Sequence, residues 1–309
     1  MRHRPPGTGA VTEAEERIRK DLGAQIKEEV REVRAIPEGH SGFTYWVALD
    51  GRRGVLRLPP PGARIAGPAD IPRQARIMAA LHAEGLPVPA VVASSDDTVV
   101  DGRPFVLMEA IKGERVEQAI EAGSNPLQLA ASAVDVLRRF QALPPERTGI
   151  GGEDPMSLDG EVSRWTWLMD RAPAELTRQA PRLAQLLVER QPPPGPPVLV
   201  HGDYHFGNML FDAGRVAAVV DWEIAQLGQP LLDLCCISLS HVSADDVREM
   251  YGADPRDYRW YLALTSYKYA AIFGYNLMLH RRGKRPDPSY EQRTDTILVF
   301  IDRGIGVLG

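Results

Sequence analysis

A polar loop and a later strand end contain the residue types that phosphoryl transfer requires. The loop reads HGDYHFGN at residues 201–208, and the strand end reads VVDWE at residues 219–223. Transfer of a phosphoryl group needs a carboxylate near the attacking hydroxyl, oxygen ligands for Mg²⁺, and cations or backbone amides around the phosphates. Asp203 supplies a carboxylate, while Asn208 and Asp221 supply the hard oxygen atoms that Mg²⁺ prefers. The pattern therefore indicates phosphoryl transfer.

Short apolar segments on either side of the loop predict how it is positioned. Residues 197–200 are apolar and predict a strand directly before the loop. Phe211, the turn at 212–215 and the apolar residues 216–220 predict a hairpin that ends at Asp221. Asn208 follows Asp203 by five residues and Asp221 follows it by eighteen. Each polar group is therefore expected at a strand–loop junction.

The rest of the chain changes from strand-rich to helix-rich near residue 113. Thr12 and Glu15 fit a capping box and predict the start of a helix, and residues 71–84 have apolar positions at helical spacing. Segments rich in alternating or β-branched residues predict strands at 43–49, 55–58, 88–93 and 105–108. Later segments predict helices at 126–142, at about 161–190 and, with breaks, at 244–285.

These motifs match the catalytic loop and metal-binding Asp of kinases in order, spacing and strand context. The chain resembles the aminoglycoside phosphotransferase and choline kinase-like family, in which the loop begins His-Gly-Asp and an aromatic residue such as Trp222 follows the metal Asp. The resemblance extends to the GQPLLDL segment at 228–234 and covers about residues 35–285. The VLR segment at 55–57 and the helix at 267–274 are similar to the kinase-like domains fused to some acyl-CoA dehydrogenases.

The resemblance implies a two-lobed, protein-kinase-like α+β fold. Its N-lobe would contain an antiparallel sheet and one helix and bind nucleotide, and its C-lobe would be mainly helical and bind substrate. ATP and Mg²⁺ would bind between the lobes. The expected ranges are a disordered tail at 1–10, the N-lobe at 11–110 and the C-lobe at 111–309.

The resemblance also implies a role for each matching residue. Asp203 would accept or orient the proton of the substrate hydroxyl, and His201 would brace the loop. Asn208 and Asp221 would bind Mg²⁺, and Asp233 would buttress the catalytic loop.

Two further segments are implied to contact the nucleotide. The turn over the phosphates would consist of Gly39, Ser41 and Gly42, a pattern that on its own is also typical of an ordinary turn. The hinge that meets adenine through backbone groups would consist of Met108, Glu109 and Ala110.

One pair of residues departs from the kinase pattern of a strand Lys paired with a helix Glu. The strand position is Arg57 and the helix position is Gln74. Arg clamps phosphate well through its planar fork, so Arg57 is interpreted as the phosphate cation. Gln74 would hydrogen-bond Arg57 without neutralising it, or Asp70 would take the acidic role. The departure keeps open an alternative, a nucleotide-binding pseudokinase with a regulatory or scaffolding role.

The segment after Asp221 favours a small-molecule acceptor over a protein. It is short before Gly228 and is followed by no Ala-Pro-Glu triplet, whereas a protein kinase would need a longer docking segment. Residues 260–286 contain no Asp or Glu but several basic residues, which disfavours a polycation such as an aminoglycoside. An antibiotic-like alcohol, a sugar, an amino alcohol or a hydroxyacyl compound stays possible, and the basic residues also fit a solvated helix end.

Four residues are candidate substrate contacts, and for His205 a loop-packing role is equally open. They are His205, Glu223, Tyr267 and Lys268.

Composition excludes several other classes of protein. The net charge of −5 gives no reason to expect nucleic acid or an anionic membrane as a partner. No apolar run reaches the roughly 18 residues that span a bilayer, and the N-terminus lacks the apolar region of a secretory signal. The adjacent Cys235 and Cys236 predict buried thiols in a reducing compartment. A cytoplasmic protein without an obligate protein partner is expected.

Overall fold

The computed structural model describes residues 12–36 and 43–309. The predicted disordered tail at 1–10 and the predicted phosphate turn of Gly39, Ser41 and Gly42 lie outside these residues. The chain forms two compact units. The sheet unit contains the described residues up to Ser124 together with Leu143–Gly152 and Gly207–Ala225. The helical unit contains Asn125–Ala142, Glu153–Phe206 and Gln226–Gly309.

An antiparallel sheet of five strands, in the order β1-β2-β3-β5-β4, forms the centre of the sheet unit. Its strands are β1 (Glu32–Ala35), β2 (Phe43–Ala48), β3 (Arg53–Leu58), β4 (Val91–Val100) and β5 (Arg103–Glu109). Strand β3 lies in the middle, where Arg57 is opposite Thr44 on one side and Val106 on the other. A central strand is paired along both edges, so it holds Arg57 on a rigid element.

Three helices and a hairpin complete the sheet unit. They are α1 (Glu13–Ile26), α2 (Ile71–Ala83), α3 (Val116–Glu121) and the strands β7 (Met209–Asp212) and β8 (Arg215–Val219). The capping box predicted at Thr12 and Glu15 is confirmed at the start of α1. Leu56 and Leu58 belong to the same buried cluster as Ile18 of α1. Because side chains alternate along a strand, Arg57 points to the opposite face of the sheet.

The helical unit contains seven of the labelled helices and one short pair of strands. The helices are α4 (Pro126–Gln141), α5 (Leu158–Met169), α6 (Ala180–Glu189), α7 (Leu231–Ile237), α8 (Ala244–Tyr251), α9 (Pro255–Arg281) and α10 (Thr294–Leu308). The strands β6 (Val198–Val200) and β9 (Gln226–Gly228) pair antiparallel. This arrangement, a sheet followed by a mainly helical part, confirms the α+β prediction.

Some elements differ from the sequence-based prediction. The helix expected over about 161–190 is two helices, α5 and α6, because a turn-forming segment with Pro173 separates them. Helix α10 was not predicted from the sequence. Cys235 and Cys236 are buried free thiols, as predicted. Within the described ranges, no helix has the length and apolar character needed to cross a bilayer.

Helix α9 is positioned by a close approach to the end of α5. A Cβ atom at Gly274 would lie 2.5 Å from Cβ of Ala172, far inside the normal contact distance. By contrast, a Cβ atom at Gly306 of α10 would meet nothing within 4 Å. Gly274 is therefore required by packing, whereas Gly306 is not.

These two glycines give a matched test of the packing. Gly274→Ala gains helix propensity but must push Ala172 aside, so we expect it to lower the free energy of unfolding by about 1–3 kcal/mol. Gly306→Ala meets no neighbour and should raise that free energy by up to about 1 kcal/mol. Denaturant titration measures both values, and equal effects of the two substitutions would contradict the close approach.

Candidate active site

Arg57 forms the centre of a charged group in the sheet unit. Its side chain is only 10% exposed. One guanidinium nitrogen, Nη1, donates to Oδ1 of Asp221 at 2.7 Å, and the other, Nη2, donates to Oε2 of Glu223 at 2.5 Å. Burial lowers the pKa of Arg57, but the two carboxylates outweigh it and raise the pKa above its usual value. Arg57 is therefore a fixed, fully charged cation.

The segment after strand β8 holds the carboxylates of Asp221 and Glu223 in contact with Arg57. Asp221 adopts a left-handed backbone conformation with φ of 67°, which is uncommon for a residue other than Gly. Trp222 then packs into the core, with its Nε1 donating to the carbonyl of Val219. The carbonyl of Ala225 accepts from Arg73 of α2 at 2.8 Å. These contacts fix the turn that presents Asp221 and Glu223.

The hairpin brings the two predicted metal ligands to its open end. Met209 pairs with Val219, and the NH of Val220 donates to the carbonyl of Asn208 at 2.9 Å. Asn208 and Asp221 therefore flank the same end of the ladder. An amide and a carboxylate oxygen suit Mg²⁺, which takes few protein ligands and completes its shell with phosphates and water. In the described part of the chain, no group of three or more His, Cys, Asp or Glu side chains could hold a metal ion.

Helix α2 places an amide where the usual pattern has a carboxylate. The side chain of Gln74 is buried and donates to the carbonyl of Pro68 at 3.0 Å. Asp70 caps the helix by accepting from the NH of Arg73 at 3.0 Å. The proposed partners of Arg57, Gln74 or Asp70, are thus engaged in local structure. The ion pairs of Arg57 are with Asp221 and Glu223 instead.

The predicted hinge lies at the end of strand β5. Met108 pairs with Val55 and with Val91. The NH of Glu109 donates to Ala90 at 2.9 Å, and the NH of Ala110 donates to Arg53 at 3.2 Å. Because both NH groups are engaged in the sheet, these two donors are not open to adenine in this conformation. The role of the three hinge residues stays a prediction.

In the helical unit, Asp233 holds the start of the catalytic loop. Its carboxylate accepts from the NH of His201 at 2.6 Å and from the NH of Gly202 at 2.8 Å. Burial raises the pKa of Asp233 to about 7, although both hydrogen bonds act to lower it. The ring of His201 is buried, and its Nδ1 accepts from the NH of Asp203 at 3.1 Å. Asp233 and His201 thereby support the backbone on which Asp203 is mounted.

Asp203 is surrounded by donors. The hydroxyl of Tyr269 donates to Oδ1, Nζ of Lys268 lies 3.6 Å from the same oxygen, and Nε2 of His205 lies 3.3 Å from Oδ2. Burial would raise the pKa of Asp203, but the charge of Lys268 and the donors together hold that pKa well below its usual range. Lys268 also donates to the carbonyl of Gly202. Asp203 is therefore an ionised carboxylate with a fixed orientation.

The four candidate substrate contacts have different surroundings. His205 and Lys268 lie beside Asp203, whereas Glu223 pairs with Arg57. Tyr267 is buried, and its hydroxyl lies 3.0 Å from Oγ1 of Thr166. Tyr267 is therefore packed in this conformation, and its contact with substrate stays a prediction.

Two features of these groups were missed from the sequence. Tyr269 touches Asp203 but was not singled out, because the face that α9 turns toward the loop depends on helix packing. Glu223 was predicted only as a candidate substrate contact, and its pairing with Arg57 was not foreseen. The sequence did contain a signal for the pairing of Glu223 with Arg57. Glu223 lies two positions after Asp221, and the helix position has Gln74 in place of an acid.

Curated relatives match about two thirds of the chain. Acyl-CoA dehydrogenase family member 10 of Mus musculus is 31% identical over 210 residues, which are 66% of this chain and 20% of that protein. Acyl-CoA dehydrogenase family member 11 of Homo sapiens is 30% identical over 212 residues, 65% of this chain and 27% of that protein. The chain thus spans about a fifth to a quarter of the length of these relatives. Homoserine kinase of Pseudomonas aeruginosa is 28% identical over 215 residues, 66% of this chain and 63% of the kinase.

Solved structures share the fold. A candidate aminoglycoside phosphotransferase from Ralstonia eutropha superposes with a TM-score of 0.75 at 21% identity, covering 94% of this chain and 97% of that one. Aminoglycoside phosphotransferase APH(4)-Ia, in a ternary complex with ADP and hygromycin B, superposes with a TM-score of 0.65 at 17% identity, covering 94% and 97%. The kinase-like fold is therefore confirmed.

The family profile described as "Phosphotransferase enzyme family" matches residues 32–264, a range that includes Arg57, the catalytic loop, Asp221 and Asp233. The resemblance predicted from the sequence motifs is confirmed, and the chain belongs to the phosphotransferase enzyme family.

Proposed function

We propose that this protein transfers the γ-phosphoryl group of Mg·ATP to a hydroxyl of a small molecule. The observation that supports this most is the contact of Arg57 with Asp221, two residues 164 positions apart in the chain. Folding has brought a cation on a rigid central strand to a carboxylate at the end of a hairpin that also presents Asn208. This combination of one fixed cation and hard oxygen ligands suits phosphates and their metal ion.

Asp203 is proposed to orient the acceptor hydroxyl and take its proton. As the hydroxyl oxygen bonds to the γ-phosphorus, the bond from that phosphorus to the β–γ bridging oxygen breaks and ADP leaves. The displaced hydroxyl proton passes to Asp203. A carboxylate with a low pKa is ionised at neutral pH and accepts a hydrogen bond throughout, although it takes the proton only late in the reaction.

Asn208 and Asp221 are proposed to hold Mg²⁺, and Arg57 to contact the phosphates. The bound metal ion would neutralise the charge of the β- and γ-phosphates. His201 and Asp233 would act indirectly by keeping the loop backbone in place.

The surroundings of Asp203 favour a neutral or anionic acceptor. Nζ of Lys268 lies 3.6 Å from its carboxylate and offsets its charge, which makes this place less attractive to a polycation. The basic residue Arg281 pairs with Glu175 and Glu291. Among the relatives and neighbours, homoserine kinase is named for a small hydroxylated substrate, and APH(4)-Ia was solved with hygromycin B. A cytoplasmic location stays part of the proposal.

A pseudokinase is the second candidate, since Arg57 occupies Asp221 in the structure and Gln74 replaces the usual acid. In that case the protein would bind nucleotide without transferring phosphate.

The first prediction concerns turnover. ADP release from Mg·ATP should be stimulated by one class of acceptor in a panel of sugars, amino alcohols, macrolides, aminoglycosides and hydroxyacyl thioesters. Asp203→Asn should lower kcat by about 10²–10⁴-fold, because it removes the group that orients the hydroxyl. Asp212→Asn serves as the control, because Asp212 is an exposed carboxylate of the β7–β8 hairpin, and it should leave kcat unchanged.

The binding of ATP separates the two candidate functions. Asp203→Asn should bind ATP as wild type does, measured by calorimetry. Nucleotide binding without turnover on any acceptor would support the pseudokinase, while full activity of Asp203→Asn would exclude Asp203 as the base.

A second prediction concerns Arg57. Arg57→Met should raise the KM for ATP by roughly tenfold or more, since a charged hydrogen bond to phosphate is lost. Arg53→Met changes an exposed residue of the same strand and should leave this KM unaltered. Steady-state kinetics at saturating acceptor measure both, and an unchanged KM in Arg57→Met would remove Arg57 from the phosphate site.

A third prediction concerns pH. The charge of Lys268 lowers the pKa of Asp203, so Lys268→Met should raise that pKa. Because the reaction needs the ionised carboxylate, the acid limb of the kcat/KM profile should move to higher pH. Lys268→Arg keeps the charge and should keep the wild-type limb. A loss of activity without any shift of the limb would show that Lys268 acts in another way.

A further inference from the structure

Arg57 and the proposed metal ion both require Asp221. In the structure Asp221 accepts from Nη1 of Arg57 at 2.7 Å. Turning the carboxylate toward Mg²⁺ would weaken this pair. Arg57 is buried, with 10% of its side chain exposed, and a buried cation that loses a partner is strongly destabilised. The fold must therefore provide another carboxylate if metal binding is to be favourable.

Helix α2 does not provide it. Gln74, at the position where kinases have an acidic residue, is neutral and donates to the carbonyl of Pro68. Asp70 caps its own helix. Glu223 does meet the requirement, because it accepts from Nη2 of Arg57 at 2.5 Å, whereas the bond to Asp221 comes from Nη1.

The backbone around Glu223 is held by contacts other than those of the Asp221 side chain. The turn Trp222–Ile224 is anchored on one side by the buried ring of Trp222 and on the other by the bond from Arg73 to the carbonyl of Ala225. The side chain of Glu223 is 18% exposed. Since its backbone is held at both ends, Glu223 can remain at Arg57 when the side chain of Asp221 turns away.

We propose that Glu223 is a positioning residue that replaces the missing helix carboxylate, holding Arg57 in place and balancing its charge when Asp221 binds Mg²⁺. The inference rests on the proposed function, because it presumes that Mg·nucleotide binds at Arg57 and Asp221. It also explains why the strand cation is Arg. A guanidinium can bind two carboxylates through separate nitrogens in a fixed plane, whereas the single ammonium of Lys cannot.

The test compares nucleotide affinity with and without metal. Calorimetry gives the dissociation constant for ADP in excess Mg²⁺ and in EDTA, for the wild type and for Glu223→Gln. In EDTA, Asp221 still partners Arg57, so Glu223→Gln should bind ADP much as the wild type does. In Mg²⁺, Arg57 loses support, so the gain in affinity caused by Mg²⁺ should fall by roughly tenfold or more.

Two further variants control the interpretation. Glu84→Gln removes a carboxylate that pairs with Arg147 in the same unit and should keep the wild-type gain. Glu223→Asp keeps the charge and should retain part of the gain in ADP affinity that Mg²⁺ causes. This variant also provides a test if Glu223→Gln fails to fold.

Each outcome decides between the proposals. Equal loss of affinity in Mg²⁺ and in EDTA would mean a general structural role for Glu223 and overturn the inference. A wild-type Mg²⁺ gain in Glu223→Gln would also overturn it while leaving the proposed function intact. Failure of the wild-type protein to bind nucleotide under either condition would overturn the proposed function and the inference together.

Discussion

The buried guanidinium of Arg57 is the constraint on which the sheet unit depends. A cation with so little exposure requires compensating charge, and removing one partner of such a group costs about 3–5 kcal/mol. The compensation comes from a segment more than 160 residues later in the chain. The central position of β3, the hairpin before Asp221 and the buried Trp222 all serve to keep two carboxylates at Arg57. The left-handed backbone of Asp221 is tolerated because these contacts over-determine its position.

The helical unit has the opposite electrostatic arrangement. There an acid, Asp203, lies among the donors Lys268, His205 and Tyr269, and its pKa is lowered. Behind it the buried Asp233 receives two backbone NH groups from the loop, and its pKa is raised to about 7. Two nearby carboxylates thus have different surroundings: Asp203 is proposed to act on the acceptor hydroxyl, and Asp233 holds the loop backbone. This separation suits a loop that must present an ionised carboxylate in one orientation.

Membership of the phosphotransferase enzyme family indicates the type of reaction but does not identify the acceptor molecule. The relatives include a homoserine kinase and segments of much longer acyl-CoA dehydrogenase family members, so related domains occur in different contexts. In this chain Lys268 lies beside Asp203, and Arg57 pairs with both Asp221 and Glu223. Both features concern the placement of charge. Measurements of acceptor and nucleotide binding can therefore test what each feature does.

The sequence by itself determined the fold class and the principal motifs. The order and spacing of Asp203, Asn208 and Asp221 are local properties of a loop and a hairpin, and β-strand alternation and helix caps are likewise local. The family followed from those motifs. Only the tertiary structure decided the partners of Arg57, the contact of Tyr269 with Asp203 and the burial of Tyr267. Each of these depends on which face a strand or helix turns toward residues far away in the chain, and that orientation is set by packing.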